Sequence, residues 1–515
     1  MQIDVIFITP NNSSGIYQDL ANEYAAKEPP TWSLLLAQSC RSKGYSVAII
    51  DANAENLTDS ETRSRILELN PKILCFVVYG QNVNAGTTNM SGAVRLSTYL
   101  KNQNIKTPII YLGSQVQALP LKTMNEEESI DIVCTNEGVY TIHNLLKLDN
   151  FSEDNLLNIK GIAFRLNKKV HLNSPEIIVP QEKMDTDLPG YAWDMLPYKK
   201  EPFDLYRAPM WHAEYKKEFR SPYAAIQTSL GCQFGCNFCM INIINRNDNE
   251  EIGVAGNYSM MRYWSTEFII KEFKKLIEYG VKTIRIVDEM FLLNPKYYIP
   301  LCEKLAELNK DDNLKMWAYS RVDTIKRKNI LSLVRKAGIK WLCLGIESGS
   351  KKIRLEVSKG KFEDVDVQDV VNQVHEADIN IMANYIYGLP GDDAESIKKT
   401  FNLSLELNTL GWNTYAAMAL PGSQLYKDAI TKNIKLPENY EGYSFHSYNT
   451  LPLPTEYLTP AEILKMRDEA YVKYHTNEKF LDKIEKKFGI EAKENIIAMT
   501  KIKLKRKIIE ETQNS

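Results

Sequence analysis

The stretch TSLGCQFGCNFCMI, residues 228–241, places three of the chain's eight cysteines, Cys232, Cys236 and Cys239, within eight consecutive positions directly after an apolar run. Thiolates spaced in this way can each ligate one iron of a four-iron four-sulfur cluster, and three of them leave one iron without a protein donor. An electron-transfer cluster would want a fourth cysteine in the local pattern, yet the next one is Cys302. A structural zinc site expects four closed ligands, and no nearby histidine supplies one. Zinc and a chance gathering of buried thiols are the alternatives to a cluster with an open iron. Gly231 and Gly235 give the run the backbone freedom that tight wrapping needs.

Outward from this run, YAAIQTSL, TIRIVDEMF, KMWAYSRVD, WLCLGIES, NIMANYIYGLP and TYAAMALP read as strands separated by helical patterns. Six strand and helix units predict a partial (β/α)6 barrel over 221–425, related to the eightfold one, with its chemistry at the C-terminal strand ends. Asp288 and Glu289 close one strand, Ser320 and Arg321 another, and all four should point into the barrel mouth. The acidic pair suits an ammonium group and Arg321 a carboxylate, with rim salt bridges as the alternative. Glu347, followed by Ser348, ends a strongly apolar strand, where a carboxylate without a partner is costly and a hydroxyl-bearing ligand would satisfy it; an ion pair is the alternative. YIYGLPGD carries Gly388, Pro390 and Gly391, a turn that brings backbone near a ligand or simply joins strand to helix.

The cysteine spacing, with Phe238 before the last thiol, resembles the radical S-adenosylmethionine (SAM) superfamily over most of 223–421. The resemblance implies a [4Fe–4S] cluster on Cys232, Cys236 and Cys239. The methionyl amine and carboxylate of SAM would bind the free iron, and reductive cleavage would yield a deoxyadenosyl radical. It further implies a ribose contact at Glu347 and an adenine contact at the Gly388–Pro390 turn.

Residues 1–150 alternate the runs IDVIFITP, YSVAIIDA, KILCFVVYG, PIIYLG and DIVCTN with amphipathic stretches, which predicts a doubly wound, Rossmann-like parallel sheet. The first turn, TPNNSSGIYQ, lacks the glycine fingerprint that would seat a dinucleotide. EPPTWSLLLAQSCRSKGYSVAIIDA, YLGSQVQALPLKTM and DIVCTNEGVYTIHNLL instead resemble, in the right order, the cobalamin-binding domains that precede many radical SAM barrels. Ligands of such sheets sit beyond the strand ends, so Tyr79, Gly80, Gln81, Asn82, Gly113, Ser114, Gln115, Glu137 and Gly138 are the expected cobalamin contacts. No histidine precedes His143, which lies in a helical pattern and reads as an ordinary packed residue. The cobalt would then lack an imidazole below, unlike in simple mutases.

Between the two domains, 151–220 reads as a connector with a hairpin at 161–175, and 426–515 as a mainly helical cap in which Tyr443, Phe445, His446 and Tyr448 could touch substrate. The charges of KIKLKRKIIEE read as a solvated helix face. Cys40, Cys75, Cys134, Cys302 and Cys343 read as small buried hydrophobes. The 515 residues, 44% of them apolar, suffice for several packed domains. A net charge of -2 with 63 basic and 65 acidic residues evenly mixed gives no polyanion signature, so nucleic acid is not an expected partner. No apolar stretch reaches the length of a membrane span, and MQIDVIFITP lacks the features of a signal peptide. A cytoplasmic location is expected.

The resemblances together imply a cobalamin-dependent radical SAM methyltransferase, acting through methylcobalamin on an unactivated carbon of a small molecule and fed by an external donor such as flavodoxin or ferredoxin. Three alternatives are a cobalamin-dependent radical cyclase or rearrangement enzyme without net methylation, a radical enzyme whose first sheet binds substrate and no cobalamin, and a non-catalytic iron-sulfur electron carrier.

Overall fold

The computed structural model describes residues 2–80, 85–208, 220–325, 328–357 and 365–513. Five parallel strands open the chain: β1 (Ile3–Thr9), β2 (Val47–Asp51), β3 (Pro71–Val78), β4 (Ile109–Gly113) and β5 (Ile132–Cys134). Their order, β2-β1-β3-β4-β5, reverses beside β1, so the loops after β1 and β3 part and open a crevice above the sheet. Alternate side chains of β1 enter different cores, Val5 and Phe7 on one face and Ile6 and Ile8 on the other. Burial on both faces is why these strands read as unbroken apolar runs.

The expected hairpin is present as β6 (Ile162–Leu166) and β7 (Lys169–Leu172), but it is not a separate connector. It extends the first sheet, with Ile132 of β5 paired antiparallel to Phe164 of β6. β5 spans only three residues, and β6 covers the edge it would otherwise expose. The following aromatics pack onto the barrel: the Trp193 indole donates to Glu272 Oε2 at 2.9 Å and stacks on Tyr191.

The barrel consists of β8 (Tyr223–Ile226), β11 (Thr283–Ile286), β12 (Lys315–Arg321), β13 (Ile339–Glu347), β14 (Asn380–Tyr387) and β15 (Gly411–Ala416), all parallel in the order β15-β14-β13-β12-β11-β8. Between β8 and β11 the chain leaves the barrel as an antiparallel ribbon of β9 (Ser229–Cys232) and β10 (Met260–Tyr263). The run YAAIQTSL therefore splits after Ile226 and feeds two different sheets. β15 begins at Gly411, ahead of the run TYAAMALP, and ends at Ala416.

β8 and β15 do not pair, so the barrel is open on one side. From the N-terminal domain, Glu28 reaches Arg285 at 2.8 Å and accepts from the Tyr223 hydroxyl at 2.5 Å. From the C-terminal region, the helix Pro460–His475 stacks Tyr474 on Trp412 and sends Arg467 Nε to the Thr414 carbonyl of β15 at 2.9 Å. The last helix, Lys507–Gln513, is largely exposed, but Arg506 before it is buried against Asp468 and Thr450. The five isolated cysteines are free and buried. No helix among the described residues is long and apolar enough to cross a membrane.

Candidate active site

The cysteine run is pinned before its thiols are placed. Asp288, just beyond β11, accepts from the Thr228 N–H, the Thr228 hydroxyl and the Ser229 hydroxyl, each at 2.6 Å. Its carboxylate is thus committed to the turn between β8 and β9 and does not present itself to a ligand, contrary to expectation. Neighbouring residues at a strand end point to opposite sides, and it is Glu289 that faces the interior. Gly231 has φ +83°, and a side chain there would lie 2.2 Å from the Met260 carbonyl, so the bend into β10 requires glycine.

Cys232, Cys236 and Cys239 all line one cavity of about 1000 Å³. The Phe234 N–H points at Cys232 Sγ and the Ile241 N–H at Cys239 Sγ, each at 3.5 Å, donors that suit thiolate sulfur. Burial pushes the Cys232 thiol up to about 12 and raises Cys236 and Cys239 as well. Iron binding deprotonates such thiols and offsets that desolvation. Among the described residues no group of three histidine, cysteine or acidic side chains is gathered to hold a single metal ion. Thiols that each meet a different iron need no such convergence, so the donor set fits a cluster.

Around the thiols stand the expected barrel residues. Arg321 grips Asp323 through Nε and Nη2 at 2.8 and 2.5 Å, lies 3.8 Å above the Phe234 ring and directs Nη1 toward Cys236 Sγ at 4.0 Å. Ser320 also lines the cavity and shares its hydroxyl with Thr324 at 2.6 Å. The side-chain carboxyls of Glu289 and Glu347 face the cavity without a hydrogen bond to any described residue, and burial raises each to about 7. Glu347 sits at φ +64°, where the β13–β14 register slips, a strained conformation for a residue with a side chain. Phe238 packs along the cavity wall.

Three expected contacts lie elsewhere. Ser348 is fully buried, capping the Ser350 N–H at 3.1 Å and facing Thr400. Gly388 donates to Asp392 at 3.1 Å and abuts Ile463, and Pro390 is exposed; neither lines the cavity. The turn is closed by its own aspartate instead of opening toward a ligand.

At the first sheet, Tyr79 and Gly80 line a smaller crevice, which meets the barrel at Gln227 and Val287. Thr9 and Ser33 line it too, with buried hydroxyls that have no partner. Such orphaned hydroxyls suit a polar ligand, and the crevice, about 130 Å³ in volume, adjoins the main cavity at Tyr17, Ala85 and Thr88, which line both. Ser114 has a likewise unpartnered hydroxyl, but it lies against Gly86 outside both cavities. Gly113, Gln115, Glu137 and Gly138 serve internal packing: Gly113 abuts the Val78 carbonyl, Gln115 accepts from Thr87 at 3.1 Å, Gly138 abuts Leu112 and Glu137 pairs with Arg262 at 2.7 Å. Gln81 and Asn82 lie outside the described residues. His143 is an ordinary packed residue, 3.1 Å from the Ser39 hydroxyl.

In the cap, Tyr443, Phe445 and His446 line the main cavity, whereas Tyr448 is exposed and bonded to Glu510. Sequence reasoning missed Asp323, Tyr17 and Arg467. Asp323 had a signal, standing two residues after the expected Arg321. Tyr17 and Arg467 reach the cavity from outside the barrel and had none.

Residues 226–404 match the family model described as the radical SAM superfamily, and residues 17–146 match that of the B12 binding domain. The chain is a radical SAM enzyme with a B12-binding domain. An uncharacterized methyltransferase of Pyrococcus horikoshii is 27% identical to this enzyme over 458 residues, spanning 88% of this chain and 89% of that protein. The anaerobic magnesium-protoporphyrin IX monomethyl ester cyclase of Cereibacter sphaeroides is 24% identical, spanning 89% and 68%. The radical SAM enzyme shares its fold with the methyltransferase TsrM from Kitasatospora setae, solved with cobalamin and a [4Fe–4S] cluster, at a TM-score of 0.64 and 13% identity across 92% of this chain and 88% of that one. It also shares it with OxsB, solved with aqua-cobalamin and SAM, at a TM-score of 0.63 and 14% identity across 96% and 72%.

Proposed function

We propose that this radical SAM enzyme delivers a methyl group to an unactivated carbon of a small molecule, using a [4Fe–4S] cluster, SAM and cobalamin. One observation carries this: the cavity lined by the three thiols, Glu289, Arg321 and Glu347 is lined also by Tyr17, Ala85 and Thr88 of the B12-binding domain. When bound, the cluster and SAM supply a hydrogen-abstracting radical, and cobalamin supplies a transferable methyl group.

Cys232, Cys236 and Cys239 would hold the cluster. Glu289 would take the ammonium of SAM and Arg321, through its Nη1 edge, the carboxylate, each by charge complementarity. Glu347, raised to about 7 by burial, would accept from ribose hydroxyls, which favour its ionised form. Thr9 and Ser33 would donate or accept on the cobalamin side, where their hydroxyls otherwise lack partners. Phe445, packed edge-on against Tyr415 at 5.0 Å, and His446, kept neutral by burial near Arg467, close the chamber from the helical side and keep water from the reacting centres. Electrons would come from an external donor such as flavodoxin or ferredoxin, in the cytoplasm.

The test is anaerobic reconstitution with iron, sulfide, hydroxocobalamin and SAM carrying a trideuterated methyl group, incubated with metabolite extract and a chemical reductant. Deoxyadenosine should form together with a product heavier by one labelled methyl. A product that gains no label would instead support the cyclase reading, which the 24% identity to the porphyrin ester cyclase favours next. Absence of deoxyadenosine would overturn both.

A further inference from the structure

Two arginines of the excursion that carries β9 and β10 are buried almost completely without facing either cavity: Arg246 is 1% and Arg262 0% exposed. Arg262, in β10, donates through Nη1 to the Val179 carbonyl at 2.8 Å and through Nη2 to Glu137 Oε2 at 2.7 Å and Asn245 Oδ1 at 2.9 Å. The other oxygen of Glu137 accepts the Val179 N–H at 2.5 Å. Arg246 donates through Nη1 to the Gln117 and Ala118 carbonyls at 2.5 and 3.2 Å, through Nε to Asp248 at 3.1 Å and through Nη2 to the Glu250 carbonyl.

Gln117 and Ala118 end the short helix that follows β4, and Glu137 lies in the turn after β5. Two loops at the ligand-facing rim of the B12-binding sheet are therefore gripped by the segment that carries the cysteines. The connection to the thiols is short, since β10 pairs Met260 with Cys232 and Arg262 with Leu230. Asn245, beside Arg246, bonds both Arg262 and the Tyr258 carbonyl, so the two grips form one network.

Adhesion alone would not call for charge here, because apolar residues of similar volume hold a buried contact at least as well as an ion pair. A planar guanidinium on fixed acceptors adds direction and distance, which an apolar contact does not define. We propose that Arg246 and Arg262 are positioning residues that fix the spacing between the thiol loop and the B12-binding domain. The inference rests on the cofactor reading above, but its test can be separated from it.

The test uses the full chain in two variants. Glu137→Met/Arg262→Met removes both charges together, leaving neither buried alone; Arg246→Lys keeps the charge but cannot span the carbonyls of both domains. After reconstitution, iron content, corrinoid content and deoxyadenosine formation should stay within about twofold of wild type. Pulsed paramagnetic resonance between reduced cluster and cob(II)alamin should show a narrow distance distribution in wild type and a shifted or broadened one in both variants. In the cofactor-free chain, amide exchange should quicken at 114–138 and 229–263 and be unchanged elsewhere. An unaltered distance distribution in a loaded variant, or unaltered exchange at both segments, would overturn the proposal. Should the double variant not fold, Arg246→Lys decides alone. Should wild type retain no corrinoid, the methyl-transfer reading falls, and exchange still decides the arginines.

Discussion

The two parallel sheets aim their C-terminal strand ends at one shared space and furnish it in opposite ways. The barrel offers ionisable groups: three thiols, the carboxyls of Glu289 and Glu347 held near 7, and the Arg321 guanidinium. The first sheet turns its acids inward. Asp51 bonds the Ala54 N–H at 3.0 Å and the Tyr206 hydroxyl at 3.1 Å, and Glu137 bonds Arg262. What remains toward the crevice is mainly hydroxyl and amide, and its one lining acid among the described residues, Glu28, is already paired with Arg285 at 2.8 Å. The contrast separates two ways of binding: a small zwitterion is gripped by a few strong charges, whereas a large ligand is cradled by many weak polar contacts.

The most severe way to break this contrast is Cys236→Ala. Deoxyadenosine formation should fall by more than about a thousandfold with loss of bound iron, while corrinoid retention, read by absorbance, stays at the wild-type level. If both cofactors are lost together, the two sides are not independent. Glu137→Ala should strand Arg262 as a lone buried charge and destabilise the protein by about 3–5 kcal/mol in urea unfolding. Acid should weaken the first domain by a different route. Burial holds His143 down to about 4, below the usual value near 6.5, so the unfolded chain takes up a proton that the folded chain refuses. Stability then declines as pH falls from about 6.5 toward 4, by at most about 3 kcal/mol, and His143→Asn should flatten that slope. Glu347→Gln should weaken SAM binding by about tenfold, roughly 1.4 kcal/mol, measured by the perturbation of the cluster's paramagnetic spectrum, with corrinoid binding unaltered. Ser114→Ala should be the mildest. The hydroxyl it removes has no partner, so unfolding should shift by less than about 0.5 kcal/mol.

The sequence announces what depends on continuous local pattern. Parallel strands buried on both faces are unbroken apolar runs, so β1 to β5 and most barrel strands are legible, and the cysteine spacing is itself local. Direction at a strand end is not local. Asp288 and Glu289 are chemically similar neighbours, and only the turn at Thr228 and Ser229 decides which one faces inward. Ser348 and Gly388 look like ligand contacts because they adjoin strand ends, yet each is absorbed by a hydrogen bond to its own loop. Glu137 reads as a contact of the bound ligand because its partner stands 125 residues away. The β9–β10 ribbon is hidden in a run that serves two sheets.

Arg467 bonds the Thr414 carbonyl of β15 and Tyr474 of the same helix stacks on Trp412, so the helix Pro460–His475 packs against the last barrel strand. That cover arrives late in chain order: a ribosome-bound fragment ending before this helix would present the unpaired edge of β15 without it, open to any neighbouring extended peptide. The helix is thus a self-supplied guard against sticking to other copies, and truncations that remove it should reveal themselves first as clumping and only afterwards as lost turnover.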